Sequence, residues 1–410
     1  MTFPRFTALA AGAVAVLVSA VGSPLRIEAQ AIPPLVAGTS DLAPEIGLDA
    51  RVEAINDFGD LAGARERFGL VWAFRWSAGG GLEDLGPGVA HDINNQGDAA
   101  GEGDAAVPAS RGLLWTADDA ITLSRGPARS VTDRRMVVGF HVTPDEIPHA
   151  FLWTPAAGLQ DLETLDTGAV PWSFFSPIAE AWSIDEAGRI TGMREGLAVV
   201  WHPDGRREDL GPGVARDMND RGVIVGATNI VVEQGRAVVW RDGVETVLPM
   251  GAGEPSTATA VNTPGYVVGW LTDGGTTRGF VWHETRGSVR LPAGRALDVD
   301  DFGRIVGYVE AADGRHPTLW QLSMTVEERL TGLRAAAGRL LGGSSRRGQV
   351  LVALKALEAA EAAAADARFQ LAQQRLRQAV HHLRLAQRDP AVSDAAKALL
   401  EHAVPLLDEL

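Results

Sequence analysis

The chain has 410 residues, 46% apolar and 22% charged, a composition typical of folded proteins. It contains no cysteine, which excludes disulfides, thiolate metal sites and a cysteine nucleophile. From Thr325 onward the chain has 12 of its 37 Lys and Arg residues and 10 of its 52 Asp and Glu residues. The part before Thr325 therefore has 25 basic and 42 acidic residues. This acidic part argues against nucleic acid as a partner, because phosphate contacts need a basic face.

The first predicted element is an N-terminal targeting segment. Arg5 precedes an uncharged apolar run from Ala8 to Val21, and these 14 residues are too few to span a bilayer, which needs about 20. The pattern predicts a signal peptide within residues 1–31, cleaved after Gly22 or after Ala31. An uncleaved anchor is the alternative. We therefore expect a secreted, periplasmic or cell-surface protein with no membrane span in the mature chain.

The body of the chain is a repeat of about 40 residues, marked by a short apolar run that ends in tryptophan. His149-Ala150-Phe151-Leu152-Trp153 is the fullest copy. Consecutive repeat tryptophans are 39, 38, 48, 39, 42 and 38 residues apart, at Trp76, Trp115, Trp153, Trp201, Trp240, Trp282 and Trp320. Seven of the 11 tryptophans thus share one phase, and we predict that they pack between neighbouring sheets.

Each repeat also contains a turn of constant chemistry, as in Ile55-Asn56-Asp57-Phe58-Gly59. An Asn or Asp that accepts from its own backbone, followed by a Gly able to take positive φ, is typical of a short hairpin connection. The tryptophan strand and an Asp-Leu element that often follows it bring the number of short strands per unit to four. The sequence predicts an all-β seven-bladed propeller over residues 35–322. The alternatives are an open β-solenoid and an irregular six-bladed ring.

The ends of the repeat region predict how the ring closes. The seventh unit passes into helix after Trp320 without an Asp-Leu element of its own, whereas Asp41-Leu42 stands unpaired before the first unit. We predict that this N-terminal segment is the fourth strand of the last blade, which removes two open sheet edges.

These motifs resemble the HAF family of extracellular repeats. The resemblance rests on His149-Ala150-Phe151-Leu152-Trp153, on the Asp-Leu-Gly elements and on the turn Ile93-Asn94-Asn95-Gln96-Gly97, and it covers about residues 49–320. Only the third repeat keeps His-Ala-Phe; others have, for example, Val-Val-Trp at Trp201 and Trp240 or Leu-Leu-Trp at Trp115. The resemblance implies export and a propeller-like fold, and it assigns no reaction and no catalytic residues.

From Thr325 to Leu410 the composition predicts a small bundle of amphipathic helices. Thr325 and Glu328 form a capping-box pattern, and Gly342-Gly343 predicts the end of the first helix. Later helices are expected from Arg347, with a break near Asp366, and from Asp389. This region resembles the FIMAH type of C-terminal module on exported bacterial proteins. The bundle is expected either to pack on the propeller or to bind a separate partner.

Candidate functional residues lie where loop length varies. Connections after the second and fourth strands of each unit emerge at one face, and the third unit carries an insertion from Thr164 to Ala179. Trp172, Phe174 and Phe175 in that insertion are candidate ligand-binding residues, as is His141 in a neighbouring loop. The alternative is that the aromatic residues plug the channel.

Other chemistry is weaker in the sequence. His141, His149, Asp145 and Glu146 share one loop, but their spacing matches no metal motif, so no metal and no cofactor is expected. Carboxylates such as those of Asp57, Asp60 or Asp301, paired across blades as acid and base, keep a glycosidase as an alternative.

We therefore predict an exported, non-enzymatic protein that binds a glycan or protein ligand at the cell surface through its variable-loop face. The alternatives are a carbohydrate-active enzyme of glycosidase or lyase type with carboxylates at the channel, and a structural spacer.

Overall fold

The computed structural model describes residues 35–103, 111–163, 179–229, 234–251, 253–342, 347–389 and 392–410. Over these ranges, short antiparallel strands are followed by a set of helices, with one helical turn, α1 (Ala43–Ile46), near the start. In chain order the strands are β1 (Val36–Asp41), β2 (Arg51–Ile55), β3 (Leu61–Arg67), β4 (Leu70–Ser77), β5 (Gly81–Ile93), β6 (Ala99–Gly103), β7 (Arg111–Trp115), β8 (Ala120–Arg125), β9 (Ala128–Val131), β10 (Val137–Val142), β11 (Pro148–Thr154), β12 (Gly158–Asp161), β13 (Ala179–Ile184), β14 (Ile190–Arg194), β15 (Leu197–Trp201), β16 (Arg207–Pro212), β17 (Val214–Met218), β18 (Ile224–Ala227), β19 (Ala237–Arg241), β20 (Val244–Val247), β21 (Ser256–Val261), β22 (Val267–Asp273), β23 (Thr276–His283), β24 (Gly287–Val299), β25 (Arg304–Ala311) and β26 (Gly314–Leu322).

The strands form antiparallel sheets in which consecutive strands are neighbours. Three sheets of the described chain have four strands, in the orders β12-β11-β10-β9, β13-β14-β15-β16 and β17-β18-β19-β20. Two have seven, β2 through β8 and β1-β26-β25-β24-β23-β22-β21. In each of these the long strand β5 or β24 pairs by its first half with the preceding strand and by its second half with the following one. Each long strand therefore ends one four-stranded group and begins the next.

The N-terminal strand completes the last group. β1 pairs antiparallel with β26, with Thr39 opposite Trp320 and Asp41 opposite Thr318. This is the pairing that the unmatched Asp41-Leu42 segment predicts. Because β1 precedes the first group in the chain and joins the last, the two ends of the repeat region are held together by a sheet.

The turns after the first strand of each group hydrogen-bond to one another. Asn56 Oδ1 accepts from the backbone N–H groups of Phe58 and Asp60, at 3.0 and 2.9 Å, as the turn chemistry predicts. Its Nδ2 donates to the carbonyl of Asn94 in the next turn at 2.9 Å. The same contact to the following turn is made by Asn94, Asn219 and Asn262. From the last turn, Arg304 Nη2 donates to the carbonyl of Asp57 at 2.9 Å, which joins the last turn to the first.

The repeat tryptophans form the contacts between neighbouring sheets. Trp115, for example, packs on Ala54, Ala62 and Ala73 of the preceding group. Five of them are buried, namely Trp115, Trp201, Trp240, Trp282 and Trp320. Trp76 and Trp153 are half-buried at the margins of their clusters. The predicted packing role is confirmed in full for five and in part for two.

The C-terminal helices are α2 (Val326–Gly342), α3 (Arg347–Ala365), α4 (Phe369–Ala386) and α5 (Ser393–Glu409). The capping box forms as predicted, since Glu328 N–H donates to Thr325 Oγ1 and Thr325 N–H donates to Glu328 Oε2. The last helix begins at Ser393 and not at Asp389, where it was predicted. No helix in the described ranges is long and apolar enough to cross a membrane.

The bundle packs on the turns. Phe58 and Phe302, from the first and last turns, contact the buried core of the bundle, and the Phe302 ring stacks on His402 at a centroid distance of 3.6 Å. Tyr266 donates from its hydroxyl to Glu328 Oε2 at 2.8 Å. A Cβ atom added to Gly332 would lie only 1.9 Å from the carbonyl oxygen of Asp301. Of the two roles predicted for the bundle, the structure shows packing on the ring.

This close approach gives a matched pair of substitutions within α2. Gly332→Ala should lower the melting temperature, because the added methyl group displaces the helix from Asp301. Gly338→Ala should raise stability by up to about 1 kcal/mol, because a Cβ there meets nothing within 4 Å and alanine favours helix. Thermal unfolding of both variants, followed by circular dichroism, checks the prediction. Equal effects of the two substitutions would contradict it.

The stacked histidine predicts a pH dependence. Burial, together with the charges of Arg304 and Arg329, lowers the pKa of His402 to about 4, while Asp57 acts in the opposite direction. The folded state thus holds neutral imidazole, and stability is lost as pH falls from about 6.5 towards 4. Relative to His402→Gln, the parent chain should lose about 2–3 kcal/mol of unfolding free energy over that interval. Urea titrations from pH 7.5 to 4 measure the difference, and parallel pH profiles of the two chains would refute it.

Candidate ligand-binding site

A β-bulge occurs at the same place in the first strand of each four-stranded group. The pairing register between the first and second strands skips one residue each time, three positions before the Asn, Asp or Thr that begins the turn. A bulge leaves one residue outside the ladder and changes the direction of its side chain. We call the seven unpaired residues of the described groups the bulge residues: Glu53, His91, Arg129, Trp182, Arg216, Thr259 and Leu297.

A glycine in the second strand makes room for each bulge. A Cβ at Gly226 would lie 1.9 Å from the carbonyl oxygen of Val214, and one at Gly101 would lie 2.0 Å from that of Val89. Five further glycines meet the facing strand in the same way: Gly63, Gly139, Gly192, Gly269 and Gly307. The repeated glycine is therefore a requirement of the bulge.

Bulge residues from different groups converge on one another. The guanidinium carbons of Arg129 and Arg216 lie 4.7 and 4.3 Å from the centre of the Trp182 ring. Arg129 also bonds Glu180 Oε1 through its Nε at 3.0 Å and approaches His91 Nε2 to 3.2 Å. These residues come from four consecutive groups, and each contact joins neighbouring groups. We call this cluster, with Arg295, the arginine cluster.

Two cations of the arginine cluster have no carboxylate partner in the described part of the chain. Arg216 and Arg295 form no ion pair there, and the Nε atom of each is buried without a hydrogen-bond acceptor. Arg295 contacts the Trp270 ring at 4.5 Å. Burial and the charges of Arg129 and Arg295 lower the pKa of Arg216 to about 10, with Glu180 opposing, so it stays a cation at neutral pH. Unpaired buried cations are costly, and an anionic group would relieve that cost.

A second tier, closer to the turns, is acidic. Asp92 and Asp217 line a cavity of about 210 Å³, and Asp298 is the equivalent acid of the last group. Each carboxylate accepts a backbone N–H from a different group, from Val131, Val261 and Ile55 at 2.8 to 2.9 Å. Burial raises the pKa of all three, that of Asp298 to about 8. These acids hold neighbouring groups together.

Arg339 of helix α2 closes the turn end of the cavity. Its Nε and Nη2 donate to the two carboxylate oxygens of Asp57 at 2.9 Å, Nη2 also reaches Asp301 Oδ2 at 2.6 Å, and Nη1 reaches Asp220 Oδ2 at 2.5 Å. Burial opposes ionisation of Asp57, but Arg339 outweighs it and lowers the pKa. Burial and the charge of Asp57 raise the pKa of Asp301. Asp57 and Asp301 do come together, then, but a cation lies between them, and Asp60 is hydrogen-bonded elsewhere, to Asn56.

Of the ligand residues predicted from the sequence, only His141 is described, and it lies outside this cluster. Trp172, Phe174 and Phe175 are outside the described residues. His141 lies at the end of β10, where its Nε2 is 3.3 Å from Asp161 Oδ2, and His149 Nδ1 is 2.7 Å from the same oxygen. Asp145 and Glu146 are exposed, and Glu146 pairs with Arg125. Among the described residues, His141, His149 and Asp161 form the group able to hold a metal ion.

The arginine cluster was not predicted from the sequence, although one difference between two repeats indicates it. Residues 84–92 and 209–217 are identical except at His91 and Arg216, which are both bulge residues. Positions that differ inside a fixed framework point to recognition.

No protein-family model matches the chain, and no curated protein sequence is significantly similar to it. Among solved structures, it is similar to an acylaminoacyl peptidase from Pyrococcus horikoshii, with 13% identity and a TM-score of 0.45 over 67% of this chain and 52% of that one. TolB from Acinetobacter baumannii gives 11% identity and a TM-score of 0.36, over 65% and 80% of the two chains. The SapL1 lectin in complex with alpha methyl fucoside gives 13% and 0.34, over 61% and 97%. The chain spans about half of the peptidase, and likeness at this level assigns it no activity.

The Arg339 contacts predict a large cost for losing that side chain. Arg339→Met should lower the unfolding free energy by about 3–5 kcal/mol, because it leaves the buried carboxylates of Asp57 and Asp301 without a cation. Arg329→Met is the control, since Arg329 pairs only with Glu409 at a more exposed position and should cost under about 1 kcal/mol. Urea unfolding measures both, and adding Asp301→Asn should recover part of the Arg339→Met loss. Similar costs for the two methionine variants would contradict this account.

Proposed function

We propose that the chain is an exported seven-bladed β-propeller of HAF-repeat type with a FIMAH-like helical module, and that it binds an acidic glycan at the cell surface. Seven blades are supported by the strand pairing, because counting the two halves of β5 and β24 separately and adding β1 to the last group gives seven groups of four. Hydrogen bonds between turns of neighbouring groups, including one from the last group to the first, support a closed ring.

The observation that supports anion binding is the pair of cations without carboxylate partners, Arg216 and Arg295. Guanidinium groups bind carboxylates through two parallel N–H bonds, and charged hydrogen bonds of this kind are about twice as strong as neutral ones. Trp182 orients the guanidinium of Arg216 by stacking, which lowers the entropy lost on binding. These features fit a carboxylate or sulfate group carried on a ligand.

The position of the arginine cluster favours a narrow ligand over a protein surface. The bulge residues precede the turn by three positions, so they lie inside the ring, toward the variable-loop end of the first strands. A saccharide chain or its acidic terminus reaches such a position more readily than a flat protein surface does.

Binding is favoured over glycoside hydrolysis by the state of the acids. A glycosidase needs two carboxyl groups free to act on the substrate. Asp92, Asp217 and Asp298 accept backbone N–H groups, and Asp57 and Asp301 share Arg339 at the end closed by the bundle. A structural spacer, the other alternative, does not require cations without carboxylate partners such as Arg216 and Arg295.

Calorimetric titration with an oligogalacturonate tests the proposal. We expect the acidic oligosaccharide to bind and its neutral methyl ester to bind at least about tenfold more weakly, because charged hydrogen bonds contribute about 1.5–3 kcal/mol each. Arg216→Ala with Arg295→Ala should abolish binding and leave the melting temperature unchanged or higher, since it removes repulsion between cations.

Arg241→Ala is the matched control, because Arg241 pairs with Glu284 on the outer part of its group and should not affect binding. A poly-aspartate peptide distinguishes glycan from protein carboxylates. Equal affinity for the acidic and neutral saccharides, or unchanged affinity in the double variant, would refute the proposal.

A further inference from the structure

A second cluster of chemistry-bearing side chains lies in the third group, away from the channel arginines. His141 and His149 are directly opposite each other on β10 and β11, so their side chains share one face of the sheet. Asp161 on β12 is opposite Phe151, two residues after His149, which places it on that same face. Three consecutive strands thus bring two imidazoles and one carboxylate together, although the residues span 20 positions of sequence.

The atoms that face one another have the spacing of metal ligands. Asp161 Oδ2 lies 2.7 Å from His149 Nδ1 and 3.3 Å from His141 Nε2, and all three atoms lie within 4.8 Å of one another. Ligands about 2.1 Å from a tetrahedral ion are about 3.4 Å apart, so small rotations of the side chains suffice to bind one.

Of these three side chains, that of His141 has a ring nitrogen without a hydrogen-bond partner among the described residues. Its Nε2 atom is buried and makes no hydrogen bond to any described residue, although it lies 3.3 Å from Asp161 Oδ2. An unbonded ring nitrogen in a buried position is uncommon and calls for a partner. A cation placed between His141, His149 and Asp161 would satisfy it.

The carboxylate is held in position by the backbone. Asp161 Oδ1 accepts the N–H of Glu163 at 2.9 Å, which fixes the carboxylate plane and leaves Oδ2 facing the histidines. Such support of a ligand by an outer hydrogen bond is characteristic of protein metal sites. Glu163 adds negative charge nearby and is itself paired with Arg194 at 2.5 Å.

We propose that His141 Nε2, His149 Nδ1 and Asp161 Oδ2 bind a divalent transition-metal ion of zinc type, with a fourth position open to water or to a ligand oxygen. Two imidazoles and a carboxylate suit Zn²⁺ and Co²⁺ and disfavour Ca²⁺ and Mg²⁺, which require mainly oxygen ligands. A bound ion would join the outer strand β12 to β10 and β11.

The other histidines provide controls. His316 bonds separate carboxylates through its two nitrogens, Asp41 through Nδ1 and Asp313 through Nε2, so its atoms do not converge on one point. His381 and His382 are adjacent on α4, where their rings are 5.2 Å apart. Substituting that pair tests for adventitious binding to surface imidazoles.

Titration of the full chain with Zn²⁺ by calorimetry, and with Co²⁺ by visible absorption, tests the proposal. We expect one ion per chain, a tetrahedral Co²⁺ spectrum and a higher melting temperature with Zn²⁺. His141→Ala, His149→Ala and Asp161→Asn should each weaken Zn²⁺ binding at least about a hundredfold, since each removes a direct ligand. The melting temperatures of these variants without metal should stay close to that of the parent, because the side chains are partly exposed.

His381→Ala with His382→Ala should leave the affinity and the Co²⁺ spectrum unchanged. The proposal is overturned if the parent chain binds no ion, if binding survives the loss of His149 and Asp161, or if the His381 and His382 substitutions abolish it.

Discussion

The bulge in the first strand of each group is the feature on which the rest of the molecule depends. It requires a glycine on the facing strand, because the carbonyl oxygen of the residue two positions before the bulge residue lies about where a Cβ would be. It also removes one side chain per group from the packed faces of the sheet and directs it toward the axis. The buried tryptophans and alanines can then fill the space between sheets whichever side chains the bulge residues have. The bulge residues can therefore differ from group to group while the strands and turns stay the same.

The framework itself is held by hydrogen bonds that run around the ring. The side chain of Asn56, like those of its equivalents, hydrogen-bonds both to backbone N–H groups of its own turn and to a carbonyl of the next turn. Asp92, Asp217 and Asp298 connect other pairs of groups through backbone N–H groups. Burial, together with the negative charges of Asp217 and Asp92, raises the pKa of Asp298 to about 8. Proton uptake by one of them relieves this repulsion, since neutral carboxyl groups need no counter-ion.

Much of this fold follows from patterns that are visible in the sequence. The tryptophan spacing, the Asn turns, the pairing of the Asp41 segment with the Trp320 strand and the Thr325 capping box are local or periodic, and each has a mechanism. The docking surface was not predicted, because it depends on Phe58 and Phe302, which occupy turn positions that hold mostly polar residues in the other repeats. The arginine cluster was missed because Arg129, Trp182, Arg216 and Arg295 are 53, 34 and 79 residues apart. The first three are brought together by the bulge register, which the sequence does not show.

The two ends of the axis have opposite electrostatic character, and this follows from how each end is covered. At the turn end, carboxylates are concentrated and the bundle supplies Arg339, so the charges are balanced within the chain. Toward the other end the excess is cationic, and among the described residues nothing from the bundle compensates Arg216 and Arg295. A buried charge balanced internally contributes to folding, whereas one left unbalanced costs stability unless a partner from outside binds it. Charge at the turn end is therefore compensated within the described chain, whereas that of Arg216 and Arg295 is not.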